Sequence, residues 1–295
     1  PSLRSNRYHV SIEKLERGGV ETQFFALFVK LDRHPDPWAT FLEMADRFDS
    51  EIAAAQRDGE GGGGRHNNHE GRDGHRTDDN VITRGIAHVR RIPELEAHRR
   101  TGHLSAFLTI EEGEVVAGAP DRLGIAYERG VRLITLTWNF ENTLGYPNAI
   151  REHRDSGLKP RGKEIVEQMN EVGMIVDVSH LSDGGFWDVA TISSKPFIAS
   201  HSNARALCDH PRNLTDEMIR AVADAGGVVG LNFNPPFLNG TNASTRDDLI
   251  RHLKRIRDVG GTESTAFGSD FDGIGGKLGV KNASAFQMLV RAMER

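Results

Sequence analysis

MIVDVSH at 174–180 and PFIASH at 196–201 decide how this chain is organised. Each is a short apolar run rich in β-branched or aromatic residues, too short for an ordinary helix, and each ends in Ser-His. His180 and His201 lie about twenty residues apart, the length of one βα unit, and a helical pattern over 183–193 fills the interval. Successive parallel strands, each followed by a helix, would deliver both imidazoles to one rim.

The same alternation continues outward. Further strand candidates lie at 20–29 (VETQFFALFV), 104–111 (LSAFLTIE), 132–138 (RLITLTW), 228–233 (VVGLNF) and 265–271 (TAFGSDF). Helical periodicity covers 37–57, 89–101, 120–129, 161–172, 215–225, 245–259 and 283–294. Strands alternating with helices predict right-handed crossovers and a parallel sheet, either open or closed into a barrel. Two features favour closure. No G-x-G-x-x-G opens a helix after the first strand, as a dinucleotide-binding open sheet would carry. The polar residues able to do chemistry also fall at the ends of different strands: Glu111, Trp138-Asn139, His180, His201, Asn232 and Asp270. In an eightfold barrel those ends meet at one mouth. The expected fold is therefore α/β, a (β/α)8 TIM-type barrel filling 1–295 as one domain, although seven strand candidates leave it one strand short.

Composition narrows the function classes. Hydrophobic residues make up 37% and charged residues 27% of the 295 positions, enough apolar surface for a sizeable core. There is no apolar run long enough to span a bilayer, so no membrane span is expected. A net charge of -5 removes the electrostatic pull toward phosphate backbones, and nucleic acid is not an expected partner. The single cysteine, Cys208, excludes a disulfide framework and any Cys-rich zinc module; it reads as a small buried residue, since no activating base sits at a recognisable spacing. Any metal must sit on His, Asp or Glu. The first residues show no targeting leader and look like the middle of a domain. Residues 58–80, almost free of apolar side chains, read as a flexible insertion loop, and His66, His69 and His75 within it are assigned no site.

Imidazole is the commonest protein ligand for zinc and carboxylates complete such shells, so acids at the same rim as His180 and His201 are the next candidates. Glu111 closes LSAFLTIE and Asp270 closes AFGSD; Glu112 and Glu114 keep a solvent-exposed turn acid open for the first, and Asp272 rivals the second. Together Glu111, His180, His201 and Asp270 look like a metal site. Arg212, just beyond His201, could pair bidentately with a ligand carboxylate, with Arg205 as its competitor. Thr215 is placed as the N-cap of the following helix.

Four stretches also resemble the membrane (renal-type) dipeptidase family, a metallopeptidase branch of the amidohydrolase superfamily: TLTWNxxN at 135–142, GLKPRGKEIVEQMNEVGMIVDVSH at 157–180, SHSNARALCDHPRN at 200–213 and FGSDFDG at 267–273. The similarity runs from GGVETQFFALFV onward. It implies a barrel holding two zinc ions that hydrolyses dipeptides, and suggests a homodimer. By motif match, Glu111 would bridge the metals, His180 and His201 would hold the second one, Arg212 would clamp the substrate's terminal carboxylate, and Asp270 would be the catalytic acid/base.

The chain departs from the family pattern in three places. The His-x-Asp pair that ends the family's first strand is missing: His9 is followed by Val10-Ser11, and His34-Pro35-Asp36 lies in a Pro-rich loop beyond strand 20–29. Trp138 stands where renal-type members carry a histidine that helps bind the substrate carbonyl, leaving Asn139 as a candidate substrate-binding donor. The sequence stops at RAMER, before a further helical segment. A barrel lacking its first strand and C-terminal segment is the resulting expectation. A catalytically silent barrel and another amidohydrolase reaction, lactone opening or deamination, are the alternatives; an arginine clamp speaks against neutral nucleobases.

Overall fold

The computed structural model describes residues 2–60 and 85–294. Seven strands appear in chain order: β1 (Thr22–Phe28), β2 (Ile86–His88), β3 (Leu104–Glu111), β4 (Val131–Thr135), β5 (Ile175–Asp177), β6 (Val229–Leu231) and β7 (Thr265–Phe267). All their pairings are parallel. β1 runs the length of β3, from Thr22 opposite Ser105 to Phe28 opposite Glu111. β4 takes the other edge of β3 at Leu108–Glu111, and β5 follows β4. Single parallel bridges, Asp177 to Ile198 and Ala199 to Val229, insert the PFIASH segment between β5 and β6, and β6 pairs with β7. The order is that expected of successive βα units, and helices connect the strands.

β2 was not among the strand candidates, because Ile86-Ala87-His88 is too short to show a period. It pairs with Leu104–Ala106 on the β3 edge that β4 occupies further along, so it does not extend the sheet at either end. Among the described residues no pairing joins β7 to β1; a parallel α/β sheet is observed, and its closure into a barrel is not. The expected strand 174–180 is paired as a ladder over only three residues; Val178 N still donates to Ile198 O at 2.8 Å, and the chain then turns through Ser179 and His180, the latter with a φ of 69°. Strand 132–138 likewise ends at Thr135.

Most helical expectations are met, including Pro160–Val172, Asp183–Ile192 and Asp216–Asp224. Thr215 caps the last of these, accepting from Met218 N at 3.3 Å. The helix Pro37–Glu60 runs past position 58, where a loop was expected to begin, and the rest of that loop with its three histidines lies outside the described residues. A short helix over Ile12–Gly18, capped by Ser11, was not expected. Its buried Ile12 and Leu15 dock it on the C-terminal part of the chain, where Ala283 N donates to His9 O at 3.0 Å. The core is continuous, built from the buried faces of the strands and from helix residues such as Ile165, Val166, Met169, Ile219 and Val222.

Two glycines allow the strands to close around the Ser200–His201 segment. A Cβ on Gly230 would lie 1.9 Å from Ser200 O, and one on Gly268 would lie 1.7 Å from the same oxygen and 3.0 Å from the Cα of His201. Both obstacles are backbone, which cannot rotate away. Gly268→Ala should therefore lower stability by about 1–3 kcal/mol, the usual range for overpacking, seen as a melting temperature several degrees lower in a circular-dichroism melt. Gly124→Ala, in a helix and with open space around it, should leave the melt unchanged or raise it slightly.

Candidate metal centre

Glu111, His180 and His201 are delivered from the ends of β3, β5 and the PFIASH segment, with β4 between the first two. Glu111 is the last residue of β3, opposite Thr135 of β4. His180 follows β5 by three residues and reaches inward because its backbone adopts the left-handed conformation. His201 follows the bridged residues Ile198 and Ala199. The two Nε2 atoms lie 2.9 Å apart, and Glu111 Oε1 is 3.3 Å from Nε2 of His180 and 3.7 Å from Nε2 of His201. Among the described residues this is the one set of three His, Cys, Asp or Glu groups whose ligand atoms all lie within 4.8 Å of one another.

The outer nitrogens of both rings are occupied. His180 Nδ1 meets Asn139 Oδ1 at 3.0 Å, and His201 Nδ1 meets Ser200 Oγ at 2.6 Å. An amide oxygen accepts, so Nδ1 of His180 carries the proton and its Nε2 carries a lone pair. Burial, reinforced by the Arg212 charge, holds His180 well below the usual histidine pKa. Burial also lowers His201, although Asp270 opposes it. Glu111 is pushed up by burial, with His201 and Arg212 pulling the other way. An imidazole lone pair, a second imidazole nitrogen and a carboxylate thus converge in a low-dielectric site that a divalent cation would compensate, and nitrogen with carboxylate oxygen is a donor set suited to zinc.

The other expected residues surround this cluster. Asp270 Oδ2 accepts from Asn232 Nδ2 at 3.0 Å, and burial raises its pKa, eased by His201 and Arg212 and reinforced by Glu111. Its rival Asp272 is engaged elsewhere, accepting from the backbone N of His9 at 2.6 Å. Arg212 is 5% exposed; Nη2 donates to His201 O at 3.2 Å, while Nε and Nη1 have no hydrogen-bond partner. Arg205 is spent: its Nη1 and Nη2 grip the Asp183 carboxylate at 2.7 and 2.8 Å, and its Nε donates to Asn213 O. Asn139 does reach the site: its oxygen faces His180, which makes it a holder of that ring, and the donor role expected from sequence falls to its NH2 group. Asp36 of the early His-x-Asp caps the helix after it, accepting from Ala39 N at 3.0 Å. The Cys208 thiol is pushed up by burial and is not activated.

The burial of two carboxylates went unread in the sequence. Asp177, fully buried, accepts from Thr135 Oγ1, Ser179 N, Ser200 N and Ser200 Oγ. Burial would raise its pKa, but His201 and these hydrogen bonds outweigh burial and keep it low. An acid inside the apolar run MIVDVSH was the available signal, since a buried carboxylate must be richly hydrogen-bonded. Glu112 is also fully buried, at a φ of 117°, and accepts from Asn142 Nδ2, Glu114 N and the backbone N of Trp138; burial raises its pKa to about 7. The Trp138 indole lies against Phe28 and Phe140, 6.3 Å from the His180 ring.

A parallel α/β sheet with histidines and acids gathered at its strand ends is the arrangement of a metal-dependent hydrolase. The chain belongs to the membrane dipeptidase family (Peptidase family M19), whose model matches residues 2–295. It is 28% identical over 288 residues to dipeptidase aclJ of Aspergillus oryzae, covering 96% of this chain and 64% of that protein. It is 37% identical over 191 residues, 61% of this chain and 70% of the relative, to an uncharacterized protein in the pqqA 5' region of Klebsiella pneumoniae. An uncharacterized dipeptidase of Schizosaccharomyces pombe, C3A11.10c, is 36% identical over 58% of this chain and 42% of its own length. The matched region thus spans between 42% and 70% of these curated relatives. The fold is shared with a metallo peptidase from Rhodobacter sphaeroides solved with a phosphinate mimic of L-Ala-D-Ala, at a TM-score of 0.80 and 24% identity over 98% of this chain and 84% of that one.

Buried histidines and buried carboxyls push the pH response of stability in opposite directions. His88, His180, His201, His210 and His252 all have native pKa values lowered by burial below the 6.5 of an unfolded chain. The unfolded state therefore binds more protons as pH falls through 6.5, and the native state is favoured above that value. Glu112, raised to about 7, and the likewise raised Glu111 and Asp270 act in the opposite sense, so the histidine contribution is read ring by ring. In proton–nitrogen correlation spectra of the metal-free protein the His180 ring should still be neutral at about pH 5.5, where a free histidine is mostly protonated. A protonated His180 ring at that pH would contradict the neutral, buried state assigned to it.

Proposed function

We propose that this chain is a zinc-dependent dipeptidase whose metal is held by Glu111, His180 and His201, with Arg212 as the substrate-carboxylate clamp and Asp270 as the acid/base. The observation that carries the reading is the convergence of three metal-ligating atoms, His180 Nε2, His201 Nε2 and Glu111 Oε1, within 3.7 Å of one another. When bound there, zinc would supply Lewis acidity, polarising the scissile carbonyl and lowering the pKa of an attacking water. The family resemblance adds a second zinc ion bridged through Glu111, and closure of the seven parallel segments as part of a (β/α)8 barrel.

The side chains then divide the work. Arg212 holds a buried positive charge with two nitrogens, Nε and Nη1, free of hydrogen-bond partners, the arrangement that recognises the free α-carboxylate of a dipeptide. Asp270 takes the proton from the water and returns it to the leaving amine; burial favours the protonated carboxyl needed for the second half of that task. Asn232, donating to one Asp270 oxygen, fixes the carboxyl orientation. Asn139 keeps His180 in the tautomer that ligates.

The zinc-loaded protein is expected to hydrolyse unblocked dipeptides and to ignore the same dipeptides amidated at the C-terminus. Asp270→Asn should lower kcat by about 100- to 10,000-fold while zinc content, measured by plasma emission, stays unchanged. Arg212→Met should act chiefly on KM for the free dipeptide. Equal turnover of amidated and free substrates would remove the clamp from the account, and hydrolysis of neutral lactones in preference to dipeptides would replace the reaction class. Sedimentation velocity at micromolar concentration tests the homodimer that the resemblance suggests.

A further inference from the structure

His201 is the ring whose ligating state is not settled by its immediate neighbour, because a serine hydroxyl can either donate or accept. Ser200 Oγ lies 2.6 Å from His201 Nδ1 and 2.6 Å from Asp177 Oδ2. It has one proton to give. If that proton goes to the imidazole, the ring must carry its own proton on Nε2, where it would block a metal. If it goes to the carboxylate, the hydroxyl can only accept from the ring, and Nδ1 is then the protonated nitrogen.

Asp177 decides between these states. Its two oxygens receive Ser179 N at 3.0 Å and Ser200 N at 2.8 Å on one side, and Thr135 Oγ1 and Ser200 Oγ, each at 2.6 Å, on the other. Four donors on two oxygens suit an ionised carboxylate and leave no room for a carboxyl proton. A charged acceptor binds a hydroxyl proton more strongly than a neutral imidazole does, so the Ser200 hydroxyl points toward Asp177. We infer that Asp177 is a positioning residue that, through the Ser200 hydroxyl, holds His201 in the Nδ1–H tautomer and turns its Nε2 lone pair toward Glu111 and His180. The inference rests on the proposed metal reading only for its consequence; in the metal-free protein the relay acts against the 2.9 Å approach of His180 Nε2, which by itself would draw a proton onto His201 Nε2. His180 is served by the neutral Asn139 amide and His201 by a buried charge through a hydroxyl, so the two rings are poised by different means.

Asp177→Asn is the informative change because it keeps an oxygen for the two backbone N–H groups and presents an NH2 group where Oδ2 was. The amide would donate to Ser200 Oγ, reverse the hydroxyl, and move the His201 proton to Nε2. Long-range proton–nitrogen correlation spectra of the histidine-labelled, metal-free full chain read the tautomer directly, with the His201 signals assigned by their loss in His201→Gln. Wild type should show Nδ1–H and Asp177→Asn should show mainly Nε2–H. Zinc affinity, measured by chelator competition, should fall about 10- to 100-fold in Asp177→Asn, the range for loss of an outer partner of a metal ligand. Ser200→Ala breaks the relay: His201 should sample both tautomers, and adding Asp177→Asn to it should change neither tautomer nor affinity further. An unchanged His201 tautomer in Asp177→Asn, or two effects that multiply in the double variant, would overturn the inference. If Asp177→Asn fails to fold, Ser200→Ala alone decides: a ring that stays wholly Nδ1–H contradicts the relay. A wild type that binds no zinc, yet shows the tautomer switch, would defeat the metal reading and leave the relay standing.

Discussion

Two imidazole nitrogens 2.9 Å apart, with a carboxylate oxygen 3.3 Å from one of them, repel one another unless a proton or a metal cation lies between them. In water such repulsion is screened; at a buried strand-end rim it is not. The surroundings of His180 and His201 deepen the conflict, since the Arg212 charge and loss of solvent both disfavour protonating the rings. A protein can hold this arrangement only through the rigidity of what surrounds it. That rigidity comes from the sheet, from the left-handed turn at His180, and from the hydrogen bonds that occupy both Nδ1 atoms.

The fold delivers these groups by register. Glu111, Thr135 and Asp177 stand side by side across β3, β4 and β5, and the third of them is bridged in turn to Ile198. One rank of strand ends therefore carries the candidate bridging acid, a hydroxyl that supports Asp177, and the carboxylate behind His201. Gly230 and Gly268 let the backbone of the next two strands approach Ser200 closely enough for His201 to lie in the same rank. Asp270 enters from beyond β7 on a residue with a φ of 59°, so several site residues depend on backbone conformations that L-residues seldom adopt. Their conformational strain is borne by the packed strands, which supply stability away from the rim.

Much of this was legible in the sequence because the informative residues terminate apolar runs. LSAFLTIE marked both β3 and Glu111, and the paired Ser-His endings marked the two imidazoles. Less visible were features set by contacts between segments. Ile86-Ala87-His88 becomes a strand only because β3 has a free edge beside it, and no period can appear in three residues. The residues alone leave Arg205 open beside Arg212 and Asp272 beside Asp270, and only the resemblance chose between them; that Asp183 occupies Arg205 and His9 occupies Asp272 is not written in the sequence. Nothing in TLTWN shows that the Asn139 oxygen meets His180. Asp177 and Glu112 were passed over for a related reason: a carboxylate's worth lies in its hydrogen-bond partners, which sequence does not display.

The most direct measurement is anomalous diffraction at the zinc absorption edge from crystals of the zinc-loaded protein. The account predicts a peak bonded to Glu111 Oε1, His180 Nε2 and His201 Nε2 at about 2.0–2.2 Å, with Nδ1 of each ring still directed at its present partner. Zinc found at other histidines while these three groups stay without it, or a cluster whose rings have turned outward, would contradict it.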